Sequence, residues 1–182
     1  DLTVKGVDEP YRMMTSRAEH RLLLRQDNAD LRLTALGHQC GLASDQRLYL
    51  METKRTSANA LLSTLQSTRF KATPERNAWL QAQGETPSDI SYTAEEMLRR
   101  PSVTLHALEQ LMPELAHTPT DARLMAELTI KYAGYLEKEH QQIRRAREME
   151  EQLIPEDLDY SAVSSLRIEA RQKLATRRPR SL

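Results

Sequence analysis

The amino-acid sequence predicts an all-α fold: a helical domain with long amphipathic helices, preceded by a short remnant that is not helical throughout. Two observations predict it. Among 182 residues there are only 5 Gly, 8 Pro and 4% aromatics, too few turn formers and strand-favouring rings for a sandwich or barrel. Apolar residues instead recur at three- and four-residue spacing over long stretches free of Gly and Pro.

The elements follow in order. Asp8-Glu9-Pro10 marks a turn, because proline pushes the residue before it out of the helical region. Residues 1–36 read as a strand-turn-helix fragment, with Asp27-Asn28-Ala29-Asp30 as a polar break and Leu31-Arg32-Leu33 as a short alternating piece. Thr34 is then the expected N-cap of a brief helix that ends near Gly41. Between Leu42 and Thr73, Leu48, Met51, Ala58, Leu62 and Leu65 share one helical face, with Ser44 or Asp45 as cap. Pro74 opens a helix carrying Trp79 and Leu80, and Gly84 stops it. Thr93-Ala94-Glu95-Glu96 has capping-box spacing, which places short helices near 94–100 and 103–112. A long helical segment over 120–154 is interrupted only by Gly134. Ser161 caps a last helix with Val163, Leu166, Ala170 and Leu174 inward.

Several functions are excluded on chemistry. The five glycines are scattered, so no loop is encoded that could cradle a phosphate with its backbone. His38 and Cys40 are the only close His/Cys pair, short of the four ligands of a structural zinc site, and no metal is expected. No nucleophile with a base and orienting group is recognisable, and the expected catalytic set is none. Cys40 reads as a bystander thiol. No apolar run approaches membrane length, and the start, Asp1-Leu2-Thr3-Val4-Lys5, lacks the apolar stretch of a signal peptide, so the expectation is a cytoplasmic protein or a piece of one.

The positive signal is arginine. Lys and Arg balance Asp and Glu at 26 each, yet the cancellation is regional. Arg12, Arg17, Arg21 and Arg25 face only Glu19 in the window 11–26, a local +3. If 16–25 is helical, Arg17, Arg21 and Arg25 form one stripe. Guanidinium forks bind phosphate oxygens bidentately, so these four arginines are the candidate nucleic-acid-binding residues. The competing reading is a solvated face, or ion pairs with Glu19, Asp27 and Asp30. Segment 84–118 carries −4 and the tail 160–182 carries +5. Arg144, Arg145 and Arg147 are read as pairing with Glu148, Glu150 and Glu151 along their helix. Tyr11, Tyr132 and Tyr135 read as packing residues or as stacking rings for bases.

Three stretches carry a resemblance. Glu9-Pro10-Tyr11-Arg12-Met13-Met14-Thr15-Ser16-Arg17-Ala18-Glu19-His20-Arg21-Leu22-Leu23-Leu24-Arg25 with Asp27 to Thr34, then Ile130-Lys131-Tyr132-Ala133-Gly134-Tyr135-Leu136, then Ile154-Pro155-Glu156-Asp157-Leu158-Asp159-Tyr160-Ser161, resemble the C-terminal region of the glucose-inhibited division protein A (GidA/MnmG) family. That family usually has tyrosine where this chain has His20. The resemblance implies that 1–36 closes a flavin-binding domain and that 37–182 is the C-terminal helical domain, truncated before the family's last helices. It implies a parent enzyme that modifies the wobble uridine (U34) of tRNA to the carboxymethylaminomethyl form. FAD and NADH would serve the parent upstream, with neither bound to this piece nor any cofactor-binding residue within it. The implied partners are tRNA, the GTPase MnmE and a second copy in the parent homodimer, and no membrane. The alternative is a docking module for the GTPase that never touches RNA.

Overall fold

The structure is a computed structural model and describes residues 20–181 together with Gly6, Met14 and Ala18. It is all-α, as predicted. The chain divides into two compact units, residues 1–136 and 137–182.

In the first unit a turn lies at 20–23, where His20 takes a left-handed φ of 52° and its carbonyl accepts from the amides of Leu23 (2.9 Å) and Leu24 (3.0 Å). Helix α1, Ala29–Gln39, follows. Leu31-Arg32-Leu33 therefore lies inside a helix rather than a strand. Thr34 is buried in mid-helix and caps nothing. The polar break is the helix start, because Asp30 complements the positive helix end and is held by Lys54 at 2.9 Å. The other end is as expected: Gly41 takes φ 73°, the Gly41 amide donates to His38 and the Leu42 amide to Gly37. That double closure is the Schellman arrangement, which needs a left-handed residue.

Helix α2, Asp45–Ser67, starts on Ser44, whose hydroxyl accepts from the Arg47 amide. It buries Met51, Ala58, Leu61 and Leu65. Helix α3, Pro74–Ala82, is capped by Thr73 and closed by Gly84 at φ 79°, with Glu85 donating to Leu80 and Gly84 to Gln81. One antiparallel ladder, unforeseen in the sequence, joins β1, Arg69–Phe70, to β2, Tyr92–Thr93, with Arg69 opposite Thr93 and Phe70 opposite Tyr92. Two-residue strands carry no alternation from which to predict them. The expected capping box is present: Thr93 accepts from the Glu96 amide, and Glu96 accepts from Thr93 to open α4, Ala94–Leu98.

Helix α5, Leu105–Leu108, and a 3-10 turn over Pro113–His117 lead to α6, Thr120–Glu151. Gly134 does not interrupt it; no neighbour crowds that position, and the helix continues. The core gathers Leu61, Leu65, Trp79, Leu80, Met97, Leu98, Leu105 and Leu108, with Ala126 and Ile130 of α6.

In the second unit the last helix, α7, spans Ile168–Arg177 and begins later than expected. Ser161 instead sits in a 3-10 turn over Tyr160–Ala162, where Asp159 accepts from its amide. Leu153 bridges Ser181, and the Ile154 amide donates to the Arg180 carbonyl at 3.0 Å. Tyr160 is the buried ring of this unit.

Candidate nucleic-acid interface

Of the four arginines singled out, Arg12 and Arg17 lie outside the described residues. Arg21 is exposed on the turn. Arg25 is turned inward, with 18% of its side chain exposed. The helical stripe expected over 16–25 does not extend through the described part, because left-handed His20 ends any helix there.

Arg25 shows what its fork does. Nε and one terminal nitrogen each donate to Asp27 at 2.9 Å, and the other nitrogen donates to the Leu22 carbonyl at 2.7 Å. The guanidinium lies 5.1 Å from the centre of the Tyr132 ring, on α6. Tyr132 in turn packs against Tyr135 with ring centres 6.3 Å apart. The hydrogen bond from Arg25 holds the Asp27 carboxyl below its ordinary range, and the same bond raises the Arg25 pKa. The pairing with Asp27 weighed above is thus formed.

The segment around Arg25 is fixed from other sides too. Asn28 donates to the Leu23 carbonyl, Arg32 donates to Asn28, and Lys54 of α2 holds Asp30. Beside it a cavity of about 830 Å³ is lined by Gln26, Asp30, Leu33, Arg47, Lys54 and Leu124, among others. Within the first unit Leu33, Leu36, Leu124 and Tyr135 remain exposed.

A second polar cluster was not predicted. Arg76 is 3% exposed, donating to the carbonyls of Ile90 (2.6 Å) and Ser88 and to Asn77 (2.8 Å). Its guanidinium faces the Tyr92 ring at 5.4 Å, and that of Arg100 faces the ring at 4.7 Å. Arg100 pairs with Glu85, which also accepts from Ser102; these contacts hold the Glu85 carboxyl below its ordinary range. Lys131 donates to the carbonyls of Arg100, Pro101 and Val103, and burial lowers its pKa. No sequence signal marks these residues, since a cation in a helical register reads as a surface group.

In the second unit the basic tail divides. Arg171 donates to the carbonyls of Leu166, Ser161 and Ser164, Arg178 to that of Glu156, and Lys173 pairs with Glu169. Arg167, Arg177 and Arg180 are exposed and make no side-chain bond among the described residues. The pairing expected of Arg144, Arg145 and Arg147 is not formed: Arg144 reaches Glu137 at 3.6 Å, and the other two are exposed and have no ion-pair partner among the described residues. An acid placed C-terminal to its arginine has the weaker helical orientation.

Among the described residues no group of three or more His, Cys, Asp or Glu could hold a metal, and no helix is long and apolar enough to cross a membrane. Cys40 is exposed. Gly6, Gly41 and Gly84, the described glycines with positive φ, are far apart in the chain.

Fold and surface together define an all-α chain of two units in which, among the described residues, some arginines are held by internal acceptors and others are exposed without a side-chain partner. Residues 45–140 match the family described as the tRNA modifying enzyme MnmG/GidA C-terminal helical domain, and 142–182 match its C-terminal helical bundle. The chain belongs to the MnmG/GidA family. The tRNA uridine 5-carboxymethylaminomethyl modification enzymes MnmG of Latilactobacillus sakei and Bacillus subtilis are 43% and 40% identical to it over 182 residues. The crystal structure of GidA from Aquifex aeolicus superposes with a TM-score of 0.63 at 31% identity, over the whole of this chain and 28% of that one. The chain spans 29% of the length of the two curated relatives. The break between the two matched regions falls within a few residues of the boundary between the two units.

Proposed function

We propose that this chain is the tRNA-binding and partner-docking C-terminal region of an FAD-dependent enzyme that modifies the wobble uridine of tRNA. Residues 1–36 close its flavin-binding domain and 37–182 form its helical domain. FAD and NADH act elsewhere in the parent, a cytoplasmic homodimer that works with the GTPase MnmE. The carrying observation is similarity over the entire chain, at 40–44% identity, to enzymes named for tRNA uridine modification. Exposed Arg21, Arg145, Arg147, Arg167, Arg177 and Arg180 support the RNA reading, since guanidinium groups without side-chain partners among the described residues are available to phosphate. Arg12 and Arg17 are proposed to join Arg21 in that contact.

The test is a gel shift of tRNA with the chain and its Arg12→Ala, Arg17→Ala and Arg21→Ala variants across a salt series. Each lost phosphate contact should flatten the log–log salt slope by about 0.7–0.9 and weaken binding to all tRNAs alike. Unchanged affinity and slope in all three would remove these arginines from the interface. Exposed Leu33, Leu36, Leu124 and Tyr135 favour the second reading, docking to the GTPase without RNA. Retention of the GTPase with no tRNA shift even at low salt would establish that reading instead.

A further inference from the structure

Arg25 belongs to the arginine-rich segment by sequence and to the interior by geometry. All three nitrogens of its guanidinium already have acceptors, on Asp27 and Leu22. That engages three of its five N–H donors and leaves a phosphate only the second N–H of each terminal nitrogen. The stretch 22–28 has no regular secondary structure, yet it is bound on three sides: by Arg32 and Asn28 at the start of α1, by Lys54 of α2 and by Tyr132 of α6. The contact with Tyr132 is the one that ties it to α6, and it depends on a ring rather than a hydroxyl, because no hydrogen bond of the Tyr132 hydroxyl is present among the described residues.

We infer that Arg25 and Tyr132 are positioning residues: the Arg25 fork, clamped on Asp27 and Leu22 and facing the Tyr132 ring, fixes the 20–28 segment so that Arg21 meets RNA without first being ordered. This rests on the tRNA-binding reading above. Its physical content is a saving of ordering entropy at the interface, the usual origin of a pre-organised site's affinity. A direct phosphate contact by Arg25 makes a different forecast. Lysine keeps the charge and serves a phosphate as a point cation, but it cannot reproduce a bidentate fork on Asp27.

Two measurements on the full 182-residue chain test this with Arg25→Lys, Tyr132→Leu and Tyr132→Phe. The first is amide hydrogen exchange over 20–28, without RNA. Exchange should accelerate in Arg25→Lys and Tyr132→Leu and stay near wild type in Tyr132→Phe, which keeps the ring face. The second is tRNA affinity across salt. Arg25→Lys and Tyr132→Leu should bind about threefold to tenfold more weakly at an unchanged salt slope, with Tyr132→Phe restored. Unfolding followed by Trp79 fluorescence identifies any variant that has lost the core. Exchange over 20–28 unaltered in Tyr132→Leu, or a Tyr132→Phe as impaired as Tyr132→Leu, overturns the inference. If the wild-type chain binds no tRNA, the RNA reading fails, while the exchange experiment still decides whether the clamp exists.

Discussion

Arg76 offers the sharpest test of how the first unit is held together. Its guanidinium is buried at 3% exposure and serves the Ile90 and Ser88 carbonyls and the Asn77 side chain, while facing the Tyr92 ring. Arg76→Met keeps most of the volume and removes every one of these bonds. Hydrogen bonds to a charged group are worth about 1.5–3 kcal/mol each, and a partly buried cation–π contact about 1 kcal/mol. Against that stand two offsets. Ile90 is exposed and Ser88 half-buried, so their carbonyls regain water. Methionine also avoids the desolvation of a buried cation, including that of the unpartnered Arg76 Nε. The net loss should be about 3 kcal/mol, or about 6–12 °C in the midpoint for a chain of this size. Trp79 makes the assay specific. It is the single tryptophan, lies in the first unit's core and donates to Gln110 at 3.0 Å, so its emission reports on that unit. Arg76→Lys should recover less than half the loss, because one ammonium cannot span three acceptors. A midpoint for Arg76→Met within about 2 °C of wild type would refute the reasoning, since desolvation would then cancel the bonds.

Two further outcomes follow from the same contacts. Thr93→Ala removes one half of the capping box and should cost about 1 kcal/mol, seen as a small drop in the Trp79 melting midpoint; Thr93→Ser should restore most of it. Asp27 and Glu85 have pKa values below their ordinary 3.8 and 4.5, lowered chiefly by hydrogen bonds from Arg25 and Ser102. Their stabilisation is therefore complete above those ordinary values and lost as pH falls through the lower folded ones. Denaturant stability should be level from about pH 7 to 5 and then decline, less steeply in Asp27→Asn.

The features that the sequence made legible are those whose hydrogen bonds close within a few residues. Ser44 and the Thr93–Glu96 box each cap the helix that follows, Pro74 opens α3, and Gly41 and Gly84 each close the helix before. The α2 face of Met51, Ala58 and Leu65 was readable for the same reason, as a single helical period. The errors came where periodicity was short. Three residues, Leu31 to Leu33, alternate equally well in a strand or a helix, and packing of α1 on α2 settles the choice. The late start of α7 and the expected pairs of Arg145 and Arg147 with Glu148, Glu150 and Glu151, not formed among the described residues, belong to the same group, because spacing permits a pair without making it favourable.

The sequence by itself determined that the chain is helical, where most helices begin and end, and that its balanced total hides basic segments at both ends. Only the tertiary structure decided what each arginine does. Arg21 and Arg25 are four residues apart in the same basic stretch, yet one is exposed and the other is clamped between Asp27 and a ring on α6. Arg76 and Arg100 look like surface cations and instead enclose Tyr92. The physical reason is range. A cap or a helical face is defined by neighbours in the chain, whereas the burial of a cation depends on acceptors and rings that folding brings from distant elements.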